Sequence, residues 1–167
     1  MEIKKEIVIN KQIHHVWEVV GDQYADAYKW ARGLDFSHGH GTPKFDGASC
    51  NNRTCEVPGF GKVNEVIRKY DPKNYVLSYE VVEGFPGFIT KGVNTWRLTP
   101  QGGKTKVSMH LVMDTKGLKG AIMGPMMKMQ LNKLIAGVVE DLKIFLETGA
   151  PSKQKQKEIN KAKKKAA

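Results

Sequence analysis

The sequence predicts an α+β fold in which a curved antiparallel sheet of seven strands wraps around one long C-terminal helix. Three observations carry this expectation. Over residues 118–148 the apolar side chains Leu118, Ile122, Met126, Met129, Leu134, Val138, Leu142 and Phe145 recur at spacings near three and four, which is one face of a helix. Such a stretch is about 45 Å long at 1.5 Å per residue, enough to cross a small domain. Upstream, six segments read as strands joined by short turns, the pattern of an antiparallel meander, and a seventh strand opens the chain ahead of two short helices.

Residues 2–10 alternate as a strand, with Ile3, Ile7 and Ile9 as its β-branched members. Asn10 is placed to cap a helix whose Val16, Trp17, Val19 and Val20 share one apolar face, and Gly21-Asp22 interrupts it. A second short helix is expected over residues 24–30. Strands are then expected over 35–41 and 48–57, around a turn-rich connection, and over 62–71 and 75–82, closed by Asp71-Pro72-Lys73-Asn74. Residues 83–87 form a loop with two glycines around Phe85 and Pro86. The last hairpin is 88–99 with 104–113. Gly149 suits a left-handed cap ending the long helix, with Pro151 just beyond. Gly124-Pro125 predicts a kink or restart near the start of that helix, which would free its first segment to act as a flap.

Alternation along each strand assigns the concave face. Val63, Glu65 and Ile67 form the inward set of their strand, since Lys62, Asn64 and Arg68 occupy the other side. The next strands contribute Tyr75, Leu77, Tyr79 and Val81, then Gly92, Asn94, Trp96 and Leu98, then Val107, Met109, Leu111 and Met113. His110 falls on the outward side. A carboxylate is costly to bury alone, so Glu65 is expected either to be paired or to face a wet cavity, or else to lie near a strand edge and reach solvent. Six of the seven methionines lie on the last strand or in the first half of the long helix; flexible thioethers suit an adaptable apolar pocket and an ordinary core alike.

The length fits a single domain, residues 1–150, followed by a tail. Net charge is +10, and residues 151–167 hold seven lysines against one glutamate. With almost no apolar residues, this tail is expected to be disordered or a frayed helix, a solubilising terminus first and, as the alternative, a weak contact with anionic lipid or nucleic acid. No apolar run approaches a membrane span and the charged start lacks the hydrophobic segment of a signal peptide, so the expected compartment is the cytoplasm. Cys50 and Cys55 are expected as reduced, packed thiols. His38 and His40 share a strand face near them, but their spacing matches no familiar zinc signature, and no metal is expected.

The string Asn64-Glu65-Val66-Ile67-Arg68-Lys69-Tyr70-Asp71-Pro72-Lys73-Asn74-Tyr75-Val76-Leu77-Ser78-Tyr79 resembles the central hairpin of the START/Bet v 1-like (SRPBCC) superfamily. Val16-Trp17, the strand end Trp96-Arg97-Leu98-Thr99-Pro100, the turn Gly102-Gly103-Lys104-Thr105 and the helix end Leu142 to Gly149 agree in order. The polyketide cyclase/dehydrase and lipid transport group is the most similar branch. The resemblance implies a helix-grip fold with a cavity between sheet and long helix, in which members bind lipids, quinones or polyketides and some catalyse cyclisation or dehydration. It also implies that Glu65, Tyr79 and Asn94 line that cavity.

No Walker, dinucleotide or nucleophile-elbow pattern occurs, so no cofactor is expected. The expected function is binding or carriage of a small hydrophobic ligand, oriented by Glu65, Asn94, Tyr79 and Gln130 among Trp96, Met109, Leu111, Met126 and Leu134. A cyclase or dehydrase would use Glu65 as general base, with Tyr79 or an inward-turned His110 holding an oxyanion. An interaction adaptor using the basic tail is a third class.

Overall fold

In the computed structural model, which describes residues 1–166, the elements run β1 (Glu2–Ile9), α1 (Ile13–Trp17), a π-helical turn (Glu18–Asp22), a 3-10 segment (Tyr24–Lys29), β2 (Phe36–His40), β3 (Asn52–Val57), β4 (Gly61–Asp71), β5 (Val76–Glu83), β6 (Ile89–Gln101), β7 (Lys104–Thr115), α2 (Gly117–Thr148) and α3 (Lys153–Ala166). The seven strands form one antiparallel sheet in the order β1-β7-β6-β5-β4-β3-β2. The six later strands are the expected meander. β1 returns to the far edge by pairing with β7, Ile3 opposite Leu111 and Ile7 opposite Val107. This is the helix-grip architecture.

The inward sets follow the alternation. Val63, Ile67, Leu77, Tyr79, Trp96, Leu98, Val107 and Met109 are all buried. A register shift between Ile67 and Lys69 lets Tyr70 also turn inward, where its ring packs 5.3 Å from that of Trp17. Gly149 ends α2 in the left-handed conformation, φ 74°, and its N–H returns to the Phe145 carbonyl at 2.8 Å.

Four local expectations are corrected. Helix α1 starts after Gln12 with no side-chain cap; Asn10 instead gives its backbone N–H to Glu147 Oε1 at 2.8 Å, tying the end of β1 to the end of α2. Pro125 neither breaks nor restarts α2, which runs unbroken from Gly117 to Thr148. Ala121 and Pro125 are both exposed, so water can meet the carbonyl that the missing N–H leaves free. The apolar stripe of α2 is buried only in its second half, at Ile135, Val138, Val139 and Leu142. In the first half Leu118, Ile122, Met126 and Met129 are exposed, because the face that α2 turns to the sheet there carries Met127 and Leu131 instead.

The fourth correction concerns the tail. Residues 153–166 are helical, and the first turns of α3 dock on the domain. Asp141 of α2, with no exposed surface, accepts from Ser152 Oγ at 2.5 Å and from Arg32 Nε and Nη2 at 2.7 and 2.6 Å. Lys155 is buried and donates to the Leu34 carbonyl, while Glu158 Oε2 accepts from the Gly33 N–H at 3.0 Å. Composition concealed this because the contacts are polar and reach partners far away in the chain, satisfying backbone groups of Gly33 and Leu34 rather than burying apolar area.

Candidate functional site

Between the concave face and α2 lies a pocket of about 210 Å³. The sheet supplies Val63 and Glu65 from β4, Leu77, Tyr79 and Val81 from β5, Gly92, Asn94 and Trp96 from β6, and Met109, Leu111 and Met113 from β7. Helix α2 supplies Met127, Leu131, Leu134, Ile135 and Val138, and the segment before β2 supplies Tyr24, Trp30, Arg32 and Leu34.

Glu65, Tyr79, Asn94, Trp96, Met109 and Leu111 therefore come together on one lining. Leu134 reaches the same lining at its partly exposed edge. Met126 and Gln130 do not: both are exposed and point away, and Met127 and Leu131 take the places assigned to them. The register of a helix face depends on where the helix meets its partner. The meeting point here is Ile135 to Leu142, and extending that face backwards at steps of four reaches Leu131 and Met127.

The polar end of the pocket is built on a group the sequence reading missed. Arg53 stands opposite Glu65 in the β3–β4 register. Its Nε donates to Glu65 Oε2 at 2.7 Å, its Nη2 lies 2.6 Å from the same oxygen, and its Nη1 donates to the Tyr24 carbonyl at 2.7 Å. Tyr24 adds its hydroxyl to Glu65 Oε2 at 2.9 Å and its ring beneath the guanidinium, 3.9 Å from the centroid. Glu65 is thus paired rather than facing a wet cavity. The signal for Arg53 was present: an inward carboxylate demands a cation, and β3 offers an arginine directly across from it.

Burial pulls the Arg53 pKa down, but the Glu65 charge beside it outweighs that and holds it well above the usual guanidinium value. Burial likewise raises the Tyr24 and Tyr79 hydroxyls above the ordinary tyrosine range. The Cys55 thiol, 3.7 Å from Glu65 Oε2, is pushed up to about 12, chiefly by burial. Beside this ion pair the Tyr79 hydroxyl accepts from Asn94 Nδ2 at 2.8 Å and from Trp96 Nε1 at 3.4 Å.

Two other features frame the pocket. Phe85 of the loop between β5 and β6 folds onto it, seated over Gly92; a Cβ there would lie 2.4 Å from the Phe85 ring. His110 faces outward and pairs with Glu2 at 2.5 Å, so it takes no part in the lining. His38 and His40 are exposed on the outer face, whereas Cys50 and Cys55 are buried and unpaired, so the four side chains do not converge. Among the described residues no helix is long and apolar enough to cross a membrane.

A curved sheet gripping a long helix over an apolar pocket with one buried polar cluster defines a START-like protein. The chain belongs to the polyketide cyclase / dehydrase and lipid transport family, whose model matches residues 1–147. Solved structures of similar fold include a protein from Thermus thermophilus, 15% identical, covering 89% of this chain and 99% of that one with a TM-score of 0.69. A START superfamily protein from Mycobacterium smegmatis is 16% identical, with coverage of 87% and 97% and a TM-score of 0.70. A point mutant of norcoclaurine synthase from Thalictrum, solved with a transition-state analogue, is 15% identical, with coverage of 87% and 93% and a TM-score of 0.67. At these identities the likeness is one of fold. No curated protein matches the chain.

Proposed function

We propose that this protein binds and carries a small hydrophobic ligand, of lipid, quinone or polyketide type, in the pocket between the sheet and α2. The observation that carries this reading is the composition of the lining. Of its charged members, Arg53 and Glu65 neutralise each other and Arg32 is held on Asp141, so the remainder is an apolar surface with a few neutral polar groups. Such a surface recognises apolar bulk and orients it by hydrogen bonds. Native mass spectrometry of the freshly purified protein, followed by denaturing extraction into organic solvent, tests it. A discrete apolar mass that leaves on denaturation is the expected result, and a protein that neither carries nor takes up any apolar compound would overturn it.

A cyclase or dehydrase reading is supported by one specific feature. Among the described residues every hydrogen bond reaching the Glu65 side chain ends on Oε2, and the residue lines the pocket, so Oε1 is the oxygen a substrate would meet. Under that reading Glu65→Ala abolishes turnover of a polyketide substrate, whereas in a carrier it shifts ligand preference. Carriage is preferred because Arg53 and Tyr24 hold the carboxylate as a structural anchor, and burial raises the Tyr24 and Tyr79 hydroxyls beside it, which makes both poor proton relays.

A further inference from the structure

A pocket containing two arginines invites the expectation of an anionic ligand, such as a fatty-acid carboxylate. The hydrogen bonds argue otherwise. All three donor nitrogens of Arg53 are committed, two to Glu65 and one to the Tyr24 carbonyl. Arg32 is committed to Asp141 through Nε, Nη2 and its backbone N–H, and has Glu140 at 3.8 Å as well. Among the described residues each cation on the lining already has a carboxylate counter-charge, and Arg32 Nη1, the one guanidinium nitrogen without an acceptor, belongs to a side chain that Asp141 neutralises. An anionic head entering here would lose its hydration and gain no opposite charge.

What the polar end does offer is neutral and unpaired. Asn94 is 8% exposed; its Nδ2 is committed to the Tyr79 hydroxyl, and its Oδ1 has no partner among the described residues. Trp30, also buried, has an indole N–H without an acceptor among the described residues. The two belong to one cluster, since the Trp30 ring sits edge-on to Trp96 at 6.3 Å and Trp96 and Asn94 donate to the same hydroxyl. Buried polar atoms without partners are uncommon in folded proteins, because each costs the desolvation of a hydrogen-bonding group. A ligand that supplies the missing partners recovers that cost.

We propose that the pocket takes an uncharged ligand whose head bears a hydroxyl group, an alcohol, phenol or enol, that donates to Asn94 Oδ1, with the Trp30 N–H as the neighbouring donor to the head. This rests on the apolar-ligand reading above and narrows it.

Competition against the neutral dye Nile red at pH 7.5, using 1-decanol, its methyl ether and decanoate on the unmodified protein, tests the proposal. The alcohol is expected to bind about fivefold tighter than the ether, the usual worth of one buried hydrogen bond, and to exceed decanoate by a wider margin. Asn94→Leu is expected to abolish the difference between alcohol and ether. The comparison of alcohol with ether on the native protein stands even if that variant does not fold. Decanoate binding as tightly as decanol, or ether as tightly as alcohol, would overturn the hydroxyl assignment and leave the apolar-ligand reading standing. Failure of Nile red and of all three competitors to bind would overturn both.

Discussion

Arg53 and Glu65 are direct cross-strand neighbours on β3 and β4, and their side chains, 4% and 9% exposed, meet at 2.6 Å inside the pocket wall. The pair fixes the polar end of the site, since Tyr24 hangs from it by both its hydroxyl and its carbonyl. Removing one partner of such a pair strands the other charge, whereas removing both does not. Arg53→Met is therefore expected to lower stability by about 3–5 kcal/mol, and Arg53→Met with Glu65→Leu to regain most of it. Urea unfolding midpoints of the two variants check this. A cost below about 1 kcal/mol for the single change would mean that water reaches the pair.

The face that α2 turns to the pocket separates two adjacent residues. Leu131 lines it and Gln130 is exposed. Leu131→Ala is expected to weaken Nile red binding several-fold and to cost about 1–2 kcal/mol, because the side chain is only partly buried. Gln130→Ala is expected to leave both within about 0.5 kcal/mol. Equal effects from the two would return the helix to the rotation its apolar periodicity suggested.

Phe85 keeps its place only because Gly92 has no side chain, and the clash distance of 2.4 Å leaves no room for a methyl group. Gly92→Ala is expected to displace the Phe85 ring, lower stability by about 1–3 kcal/mol and speed release of bound dye. Adding Phe85→Ala should cost much less in the Gly92→Ala background than in the unmodified protein. Stopped-flow dye release and a double-mutant cycle read both effects, and strict additivity would show that the two residues do not touch.

The docked start of α3 predicts a local response to truncation. Glu158 accepts the Gly33 N–H and Lys155 holds the Leu34 carbonyl, so ending the chain at Ala150 frees a segment that lines the pocket. Hydrogen exchange at Gly33 is expected to rise sharply on truncation, while amides in the centre of β6 keep their protection. Unchanged exchange at Gly33 would show that α3 does not hold that segment in solution.

Cys55 offers a chemical check on burial around the ion pair. With its thiol pushed up to about 12, the thiolate fraction at pH 8 is on the order of one in ten thousand, and the side chain has no exposed surface. Iodoacetamide at pH 8 should leave Cys55 unmodified in the native protein and label it after denaturation. Rapid native labelling would mean that the wall between β3 and β4 opens.

The sequence alone determined the order of elements and which side of each strand faces inward, because both follow from short-range rules. Alternation at period two placed Glu65, Tyr79, Asn94, Trp96, Met109 and Leu111 on one surface, and turn residues marked the hairpins between them. What it could not supply depends on which surfaces meet. Twelve positions separate Arg53 from Glu65 in the chain, and only the β3–β4 register makes them neighbours. The burial of α2 is set by which face meets the sheet, so an apolar repeat that continues from Leu118 to Phe145 is buried only in its second half, and Met127 and Leu131 face the pocket in the first. The lysine-rich end reads as solvated by composition, yet Ser152 joins Arg32 on the Asp141 carboxylate, and Lys155 and Glu158 satisfy the Leu34 carbonyl and the Gly33 N–H. Charge pairing, helix rotation and tail docking are contacts between distant segments, and the energy of each depends on a partner that no local pattern names.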